Sequence, residues 1–363
     1  MWAYSTANCG NNMEGDWQVA DMGYVNKKRV IQKLHDFHKS VKANNGQIGR
    51  APRIIDLSYD NVCNFKCEHC FTKAPEGINT LKHMPMEMIT RLADEADALG
   101  FYEFDLQGGE LLVQPEMFFD LVHAVGAERF YIYLTTNGYF LDQEMAHRLA
   151  VAGIDRVSVS IDSLNPEEHD SFRGKKGAFE RAINALKYVK EEGIDPFMNI
   201  TVGHYNAFSK ELEEQLAYSL ENGFHTILNA AVPAGCWKNN YDIMLTEEDT
   251  GHLEELRKKY PNLVRDLWDP FDREQKKILG CNAGNILYIT PWGDVLPCPF
   301  IHIKLGNLYE ESLEKILEYT FSIHEFANHS DKCLAGEDKD FVNKYMSGDI
   351  STQNPAKAKE IFL

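Results

Sequence analysis

The chain has 363 residues, 44% of them hydrophobic, which is enough to bury a barrel-sized core and a smaller second unit. Its 55 acidic residues outnumber the 37 basic ones, giving a formal charge of −18 and no basic block, so nucleic acid is not an expected partner. No apolar run reaches the length of a bilayer span, and the N-terminal MWAYSTANCGNN lacks the pattern of a signal peptide. We therefore expect a cytoplasmic protein with no membrane partner.

The first part of the chain alternates predicted helices and strands. Residues 24–45 predict an amphipathic helix, which covers the base of the fold within an N-terminal extension at 1–50. Segments with helical periodicity, such as 89–99 and 179–186, separate six runs rich in β-branched and aromatic residues. The runs are 53–60, 102–107, 130–135, 155–161, 197–203 and 225–232. This alternation predicts an α/β fold with a parallel sheet, a partial (βα)6 TIM-like barrel over residues 51–240.

In such barrels the loops that follow the strands share one mouth, where the chemistry lies. Six features follow the six predicted strands: the Cys63–Cys70 loop, 108-GGE-110, 135-TTNG-138, Asp162, His204 and Cys236. We therefore expect them to converge.

Residues 241–280 predict a helical connector that begins at a Thr246 cap, and 281–340 predict a small α+β unit. This unit contains a hairpin around Gly293 and a helix at 310–320. The tail at 341–363 is polar and gives no clear prediction.

Eight cysteines are too sparse for a disulfide scaffold in a chain of this length. Three of them, Cys63, Cys67 and Cys70, share one loop and would offer three thiolates to an iron–sulfur cubane that normally takes four. A zinc site with His69 as the fourth ligand is the alternative, although His69 lies in a tight position between two of the cysteines.

The Cys-x3-Cys-x2-Cys motif after the first strand, together with Gly-Gly-Glu after the second, resembles the radical S-adenosylmethionine (SAM) enzymes. The resemblance covers roughly residues 53–235. It implies a [4Fe-4S] cluster whose open iron binds SAM, and a 5′-deoxyadenosyl radical that is released when SAM is reductively cleaved. An electron donor such as flavodoxin or ferredoxin is implied as a partner.

The same resemblance implies a set of contacts to SAM. Glu110 would accept a hydrogen bond from the methionine ammonium, while the two preceding glycines would let the backbone approach the ligand. The implied SAM-binding residues are Gly108, Gly109, Glu110, Thr136, Asn137, Ser160, Asp162, Arg173 and His69. The sequence departs from the family pattern at His69, where an aromatic residue is usual, and at Leu111, where proline is common.

The second cysteine set, Cys281, Cys298 and Cys333, resembles a twitch or SPASM extension and implies one auxiliary [4Fe-4S] cluster. Its fourth ligand is open among Cys236, Cys9, another side chain, water and the substrate. Buried thiols without a cluster are the alternative.

Cys236 follows the sixth strand, and we expect it across the mouth from the first cluster. There its thiol would return a hydrogen atom to a substrate radical, giving epimerisation. A ligand of the auxiliary cluster and an inert buried side chain are the alternatives for Cys236. If the auxiliary cluster takes an electron instead, the outcome is dehydrogenation or cross-linking. We expect a small polar substrate, such as a sugar, aminocyclitol or natural-product glycoside, because no separate peptide-binding domain precedes the first strand. The alternatives are a maturase of ribosomal peptides and a non-catalytic iron–sulfur or zinc-binding protein.

Overall fold

The computed structural model describes residues 27–72, 82–269 and 277–362. Twelve strands are present in these ranges: β1 Ile54–Ser58, β2 Glu103–Gln107, β3 Tyr131–Thr136, β4 Arg156–Ser160, β5 Asp195–Val202, β6 His225–Ala230, β7 Leu263–Val264, β8 Ile286–Ile289, β9 Asp294–Leu296, β10 Ile303–Lys304, β11 Gly306–Asn307 and β12 Ala356–Lys357. The six strands predicted for the barrel are confirmed as β1–β6.

Twelve α-helices accompany them: α1 Lys28–Ala43, α2 Met86–Leu99, α3 Pro115–Val125, α4 Gln143–Val151, α5 Pro166–Arg173, α6 Ala178–Glu191, α7 Lys210–Asn222, α8 Glu247–Lys259, α9 Leu313–Thr320, α10 His324–Ala327, α11 Lys339–Tyr345 and α12 Ala358–Ile361. No helix in the described ranges has the length and apolar character that a membrane crossing requires.

Ten strands form one sheet in the order β11-β9-β8-β1-β2-β3-β4-β5-β6-β7. Every neighbouring pair from β8 to β7 is parallel, whereas β9 and β11 are joined by antiparallel pairs. The expected partial α/β barrel is therefore present. The hairpin predicted around Gly293 is also confirmed, but its first strand β8 pairs with β1, so the second unit extends the barrel sheet.

Helix α1 packs on the base of the barrel, as expected from its amphipathic pattern. Its apolar face forms a small cluster with Tyr102, Tyr131 and Leu279. Next to the helix, Lys27 Nζ donates to the carbonyl of Gly153 at 2.9 Å. Helix α1 therefore covers the amino ends of the barrel strands.

The connector helix α8 begins as its sequence predicts. Thr246 accepts a hydrogen bond from the backbone N–H of Asp249, and the Asp249 carboxylate accepts one from the backbone N–H of Thr246, which forms a reciprocal cap. In the polar tail, α11 and β12 were not predicted. Strand β12 pairs with β10, and Phe341, Val342 and Tyr345 of α11 are buried.

Candidate functional site

The first cysteine loop follows β1 and borders a cavity of about 360 Å³. The thiols of Cys63, Cys67 and Cys70 all line it. Burial raises the pKa of Cys63 to about 12 and also raises the pKa of Cys67. The guanidinium of Arg173 lies 3.7 Å from Cys67 Sγ and lowers that pKa in part. Buried thiols of this kind become thiolates when metal replaces the proton, so the loop fits a three-thiolate cluster site.

The second cysteine set borders the same cavity. Cys281, Cys298 and Cys333 all line it, and burial raises the pKa of each thiol. The pKa of Cys298 is raised further by the neighbouring Cys333 and Cys281. The three thiols therefore lie close together although the chain separates them widely. Cys9, one candidate for the fourth ligand, lies outside the described residues.

The two cysteine sets are joined by a cluster of aromatic rings. Cys63 follows the carboxyl end of β1, whereas Cys281 precedes the amino end of β8, which runs parallel to β1. Between them the ring of Phe71 contacts those of Phe300 at 5.2 Å and Tyr288 at 6.1 Å between centroids. A molecule held in the cavity would therefore border both sets.

The glycine pair after β2 serves the cysteine loop directly. A Cβ on Gly109 would lie 2.1 Å from the carbonyl oxygen of Val62, and one on Gly108 would lie 2.4 Å from that of Asp60. The backbone N–H of Gly109 donates to the carbonyl of Asp60 at 2.9 Å, and that of Glu110 donates to the carbonyl of Val62 at 2.7 Å. The expectation was that glycine admits a ligand. In the structure the glycines admit the backbone that carries the cysteines.

Glu110 is buried, with 3% of its surface exposed, and its carboxylate already accepts three hydrogen bonds. Oε1 accepts from the backbone N–H of Leu112 at 3.1 Å and from the hydroxyl of Thr136 at 2.8 Å, and Oε2 accepts from the backbone N–H of Asn137 at 2.7 Å. A carboxylate has about four acceptor positions. Glu110 therefore fixes the TTNG turn and retains room for about one further donor.

The variant Glu110→Gln tests this arrangement. Its amide NH2 would face a backbone or hydroxyl donor, leaving buried groups unpaired, so we expect the free energy of unfolding to fall by about 2 kcal/mol. Chemical denaturation of the anaerobic protein measures it. Glu116→Gln is the matched control, because its side chain is 81% exposed. Equal unfolding free energies for the two variants would contradict the argument.

Asp162 and Arg173 form a buried ion pair, with Arg173 Nε donating to Asp162 Oδ2 at 2.6 Å. Burial raises the pKa of Asp162, but Arg173 and the nearby His69 and His169 outweigh it, so the net pKa lies below its usual range. Arg173 lines the cavity, as does Ser160. Arg173 is thus a buried side chain at the cavity, and Asp162 acts on the cavity through Arg173.

His69 lies flat against Phe172, with ring centroids 4.7 Å apart and an interplanar angle of 11°. Trp237 covers it at 5.6 Å, and burial lowers the pKa of His69 to about 4, so the ring is neutral. In the described ranges no group of three or more His, Cys, Asp or Glu converges as it would around a single metal ion. The geometry thus gives His69 an aromatic surrounding, not the surrounding of a zinc ligand.

Two other expected mouth residues lie differently. Cys236 is exposed, and its backbone N–H donates to the carbonyl of Cys70 at 2.9 Å. It therefore lies beside the first cysteine loop, and the expectation that it faces this loop from across the mouth is wrong. The reason is the close packing of Gly235, where a Cβ would lie 2.2 Å from the Cys70 carbonyl oxygen. His204 lies 2.9 Å from Asp249 Oδ2, beside the cap of α8.

A polar layer crosses the middle of the barrel and was missed from the sequence. In strand register, Asp56 of β1 pairs with Asp105 of β2, Asp105 with Tyr133 of β3, and Tyr133 with Arg156 of β4. All four line the cavity. Burial raises the pKa of Asp56 to about 8 and that of Asp105 well above its usual range, with Asp56 adding to the latter. The polar layer could have been predicted from RIIDLS and EFDLQ, because the alternation of side chains along a strand directs Asp56 and Asp105 towards the barrel interior.

Asp56→Asn should change how stability depends on pH. The unfolded carboxyl titrates near pH 4, so between about pH 4 and 8 the folded protein binds more protons than the unfolded chain. Stability is therefore lost as the pH rises through this window, and the amide removes that loss while still accepting from Gln107. At pH 8 the variant should be more stable than the parent by at least about 1 kcal/mol, with no difference near pH 4.

Chemical denaturation at a series of pH values measures this difference in unfolding free energy, with the exposed Asp36→Asn as the control. Parallel profiles for parent and Asp56→Asn would contradict it.

Comparison with known proteins bears on both cysteine regions. The model of the radical SAM superfamily matches residues 57–217, and that of the SPASM iron–sulfur cluster-binding domain matches residues 281–335. The chain belongs to the radical SAM superfamily and carries a C-terminal SPASM domain. Its cofactors are SAM, a [4Fe-4S] cluster and an auxiliary iron–sulfur cluster. The first match contains Cys63, Cys67 and Cys70, and the second contains the other three thiols.

Several curated relatives of this radical SAM protein align over most of its length. The bacteriocin subtilosin biosynthesis protein AlbA of Bacillus subtilis is 25% identical, over 83% of this chain and 67% of the relative. The AdoMet-dependent heme synthase of Methanosarcina barkeri is 28% identical, over 74% and 82%. The PqqA peptide cyclase of Rhizobium meliloti is 27% identical, over 72% and 68%. Among solved structures, Streptococcus suis SuiB bound to precursor peptide SuiA has a TM-score of 0.57 at 18% identity, over 85% and 72%, which shows the shared fold.

Proposed function

We propose that this radical SAM protein modifies a peptide by a reaction that begins with hydrogen-atom abstraction and ends in net oxidation. The PqqA cyclase is named for a peptide and AlbA for a bacteriocin, and both align with most of this chain. The relatives reported above are not named for a sugar or an aminocyclitol, so they do not support the small polar substrate expected from the sequence.

One observation carries the oxidative outcome: both cysteine sets line one cavity, whereas Cys236 is exposed and is not among the residues that line it. In this proposal Cys63, Cys67 and Cys70 hold the cluster that binds SAM, and Cys281, Cys298 and Cys333 hold the auxiliary cluster. When bound, these groups supply a 5′-deoxyadenosyl radical that takes a substrate hydrogen atom and an acceptor for the electron that remains.

The residues of the chain would orient SAM and exclude water. Glu110 keeps Thr136 and Asn137 in one turn, and Arg173 brings a fixed positive charge to the rim beside Cys67. Arg173 is suited to a SAM carboxylate, because its Asp162 partner uses the Nε side and leaves part of the guanidinium facing the cavity. Ser160 and the ring of His69 complete the wall, while Gly108 and Gly109 keep the loop in place.

Deuterium transfer tests the substrate class. The anaerobically reconstituted holoenzyme would be reduced with SAM present and given either a perdeuterated peptide digest or perdeuterated monosaccharides. We expect 5′-deoxyadenosine to gain deuterium from the peptide pool. Transfer from the sugars alone, or from neither pool, would overturn the proposal.

The redox outcome can be read in the same system in D2O. An oxidised peptide is lighter by a hydrogen pair and carries no solvent deuterium at the reacting carbon. A thiol donor at Cys236 would exchange with D2O and deliver deuterium to that carbon. Deuterium in a product of unchanged composition would therefore replace oxidation by epimerisation.

A further inference from the structure

Arg156 is fixed in the cavity wall by a stack of flat side chains. Its guanidinium carbon lies 4.1 Å from the centroid of the Tyr133 ring and 3.6 Å from that of Phe197. Phe197 in turn stacks on His225 at 4.7 Å with an interplanar angle of 19°. Burial, together with Arg156, lowers the pKa of His225 to about 4, so this ring is neutral. Two rings, Tyr133 and the His225-backed Phe197, therefore hold the guanidinium in place.

Two of the three guanidinium nitrogens of Arg156 lack acceptors. Its Nε and Nη2 are buried and have no hydrogen-bond partner among the described residues. Arg53, which lines the same cavity, donates instead to the hydroxyl of Tyr102 at 2.8 Å, and Arg173 donates to Asp162 at 2.6 Å. A buried guanidinium without acceptors is costly, and such cost is common where a ligand completes the site.

The neighbouring acids do not take this role. Glu103 and Asp105 act on Arg156 through space, and Asp105 accepts a hydrogen bond from the hydroxyl of Thr135 at 3.2 Å. Burial raises the pKa of Glu103 to about 7 and that of Asp105 well above its usual range, although Arg156 lowers both in part. The fork of Arg156 thus remains available to an anion that enters the cavity.

We propose that Arg156 binds a carboxylate of the substrate. This inference rests on the proposed peptide substrate and narrows it to a peptide with an acidic side chain or a free carboxyl terminus. A planar guanidinium matches a carboxylate with two parallel hydrogen bonds, and clamping by Tyr133 and Phe197 removes the entropy cost of ordering it.

The position of Arg156 also sets a distance. It begins β4, while Ser160 ends β4 at the level of the mouth, so the two levels are about 13 Å apart along the strand. An extended peptide spans this with roughly four residues. The anchoring carboxylate therefore lies roughly four residues from the C–H bond that reacts.

Equilibrium dialysis of the SAM-loaded, unreduced holoenzyme tests the anchor without turnover. The probes are acetyl-Gly-Gly-Glu-Gly-Gly-amide, its Gln counterpart, and acetyl-Gly-Gly-Gln-Gly-Gly with a free carboxyl terminus. We expect a carboxylate-bearing probe to bind at least about tenfold more tightly than the neutral one. Preference for the first or the third probe distinguishes a side-chain carboxylate from a terminal one.

The variants locate this binding. Arg156→Gln should bind all probes equally, whereas Arg156→Lys should keep part of the preference because it keeps the charge without the fork. Arg148→Gln is the matched control, since Arg148 also lies over a ring, that of Phe119 at 4.3 Å, on the outside of the barrel. Equal or absent retention of all probes by the parent, or a preference that persists in Arg156→Gln, overturns the inference. The binding test needs no turnover, so a negative deuterium-transfer experiment would not remove a binding preference that depends on Arg156. Likewise, loss of the Arg156 inference would leave the proposed peptide modification untouched.

Discussion

Cys67→Ala is expected to lower the release of 5′-deoxyadenosine from SAM by at least about 100-fold. Changes in the surroundings of a metal site alone cost 10–100-fold, and this change removes one of only three thiolates. Cys67 is also the thiol that Arg173 contacts, so its loss leaves the buried Arg173–Asp162 pair without its neighbour at the cavity. Anaerobic single-turnover assays with dithionite and SAM measure the effect.

Iron content gives a second measure of the same variant. We expect about four iron atoms to remain, because the thiols of the second set are unaffected. The variant Asp94→Asn, at an exposed pair with Arg129, serves as the control for a general loss of iron. Cleavage of SAM at the parental rate by Cys67→Ala would show that this loop does not hold the cluster.

Much of the barrel followed from local pattern. Runs rich in β-branched and aromatic residues located β1–β6, and the Thr246 and Gly293 signals located the start of α8 and the hairpin. These signals are local because caps and turns are satisfied by residues only a few positions away. The first cysteine loop and the TTNG turn with Thr136 were expected at the mouth because each follows a predicted strand, whereas Ser160 was implied by the family resemblance.

What the sequence did not reveal depends on contacts between distant segments. Glycine is required at position 109 because the carbonyl of Val62 leaves no room for a Cβ. Cys236 is positioned by the hydrogen bond from its backbone N–H to the carbonyl of Cys70. Neither partner can be named from spacing. The pairing of β8 with β1 is equally non-local, and it explains how the second cysteine set reaches the barrel cavity.

Arg156 shows the same limit at the level of function. Its sequence context, DRVSVSI, predicts a strand that begins near this arginine. At the start of a strand a solvent-exposed arginine side chain is ordinary. Only the packing of Tyr133 and Phe197 on both of its faces shows that the side chain is held in the cavity wall.

Cys298→Ala is expected to separate the two halves of the proposed reaction. The variant should still release 5′-deoxyadenosine, because the three thiols of the first loop are unchanged, but oxidised peptide should fall by at least about tenfold. Its iron content should fall to about four atoms from about eight.

The substitution is informative because Cys298 is half-buried near the other two thiols, and desolvation raises its pKa well above the usual value. A thiol in such a place that held no metal would lose only a small volume on truncation, and iron content would not change. Ser322→Ala, an exposed position in the same unit, is the matched control. If Cys298→Ala keeps the parental iron content and the yield of oxidised peptide, the second cysteine set has no part in the reaction, and a single-cluster enzyme that returns hydrogen to its substrate becomes the better account.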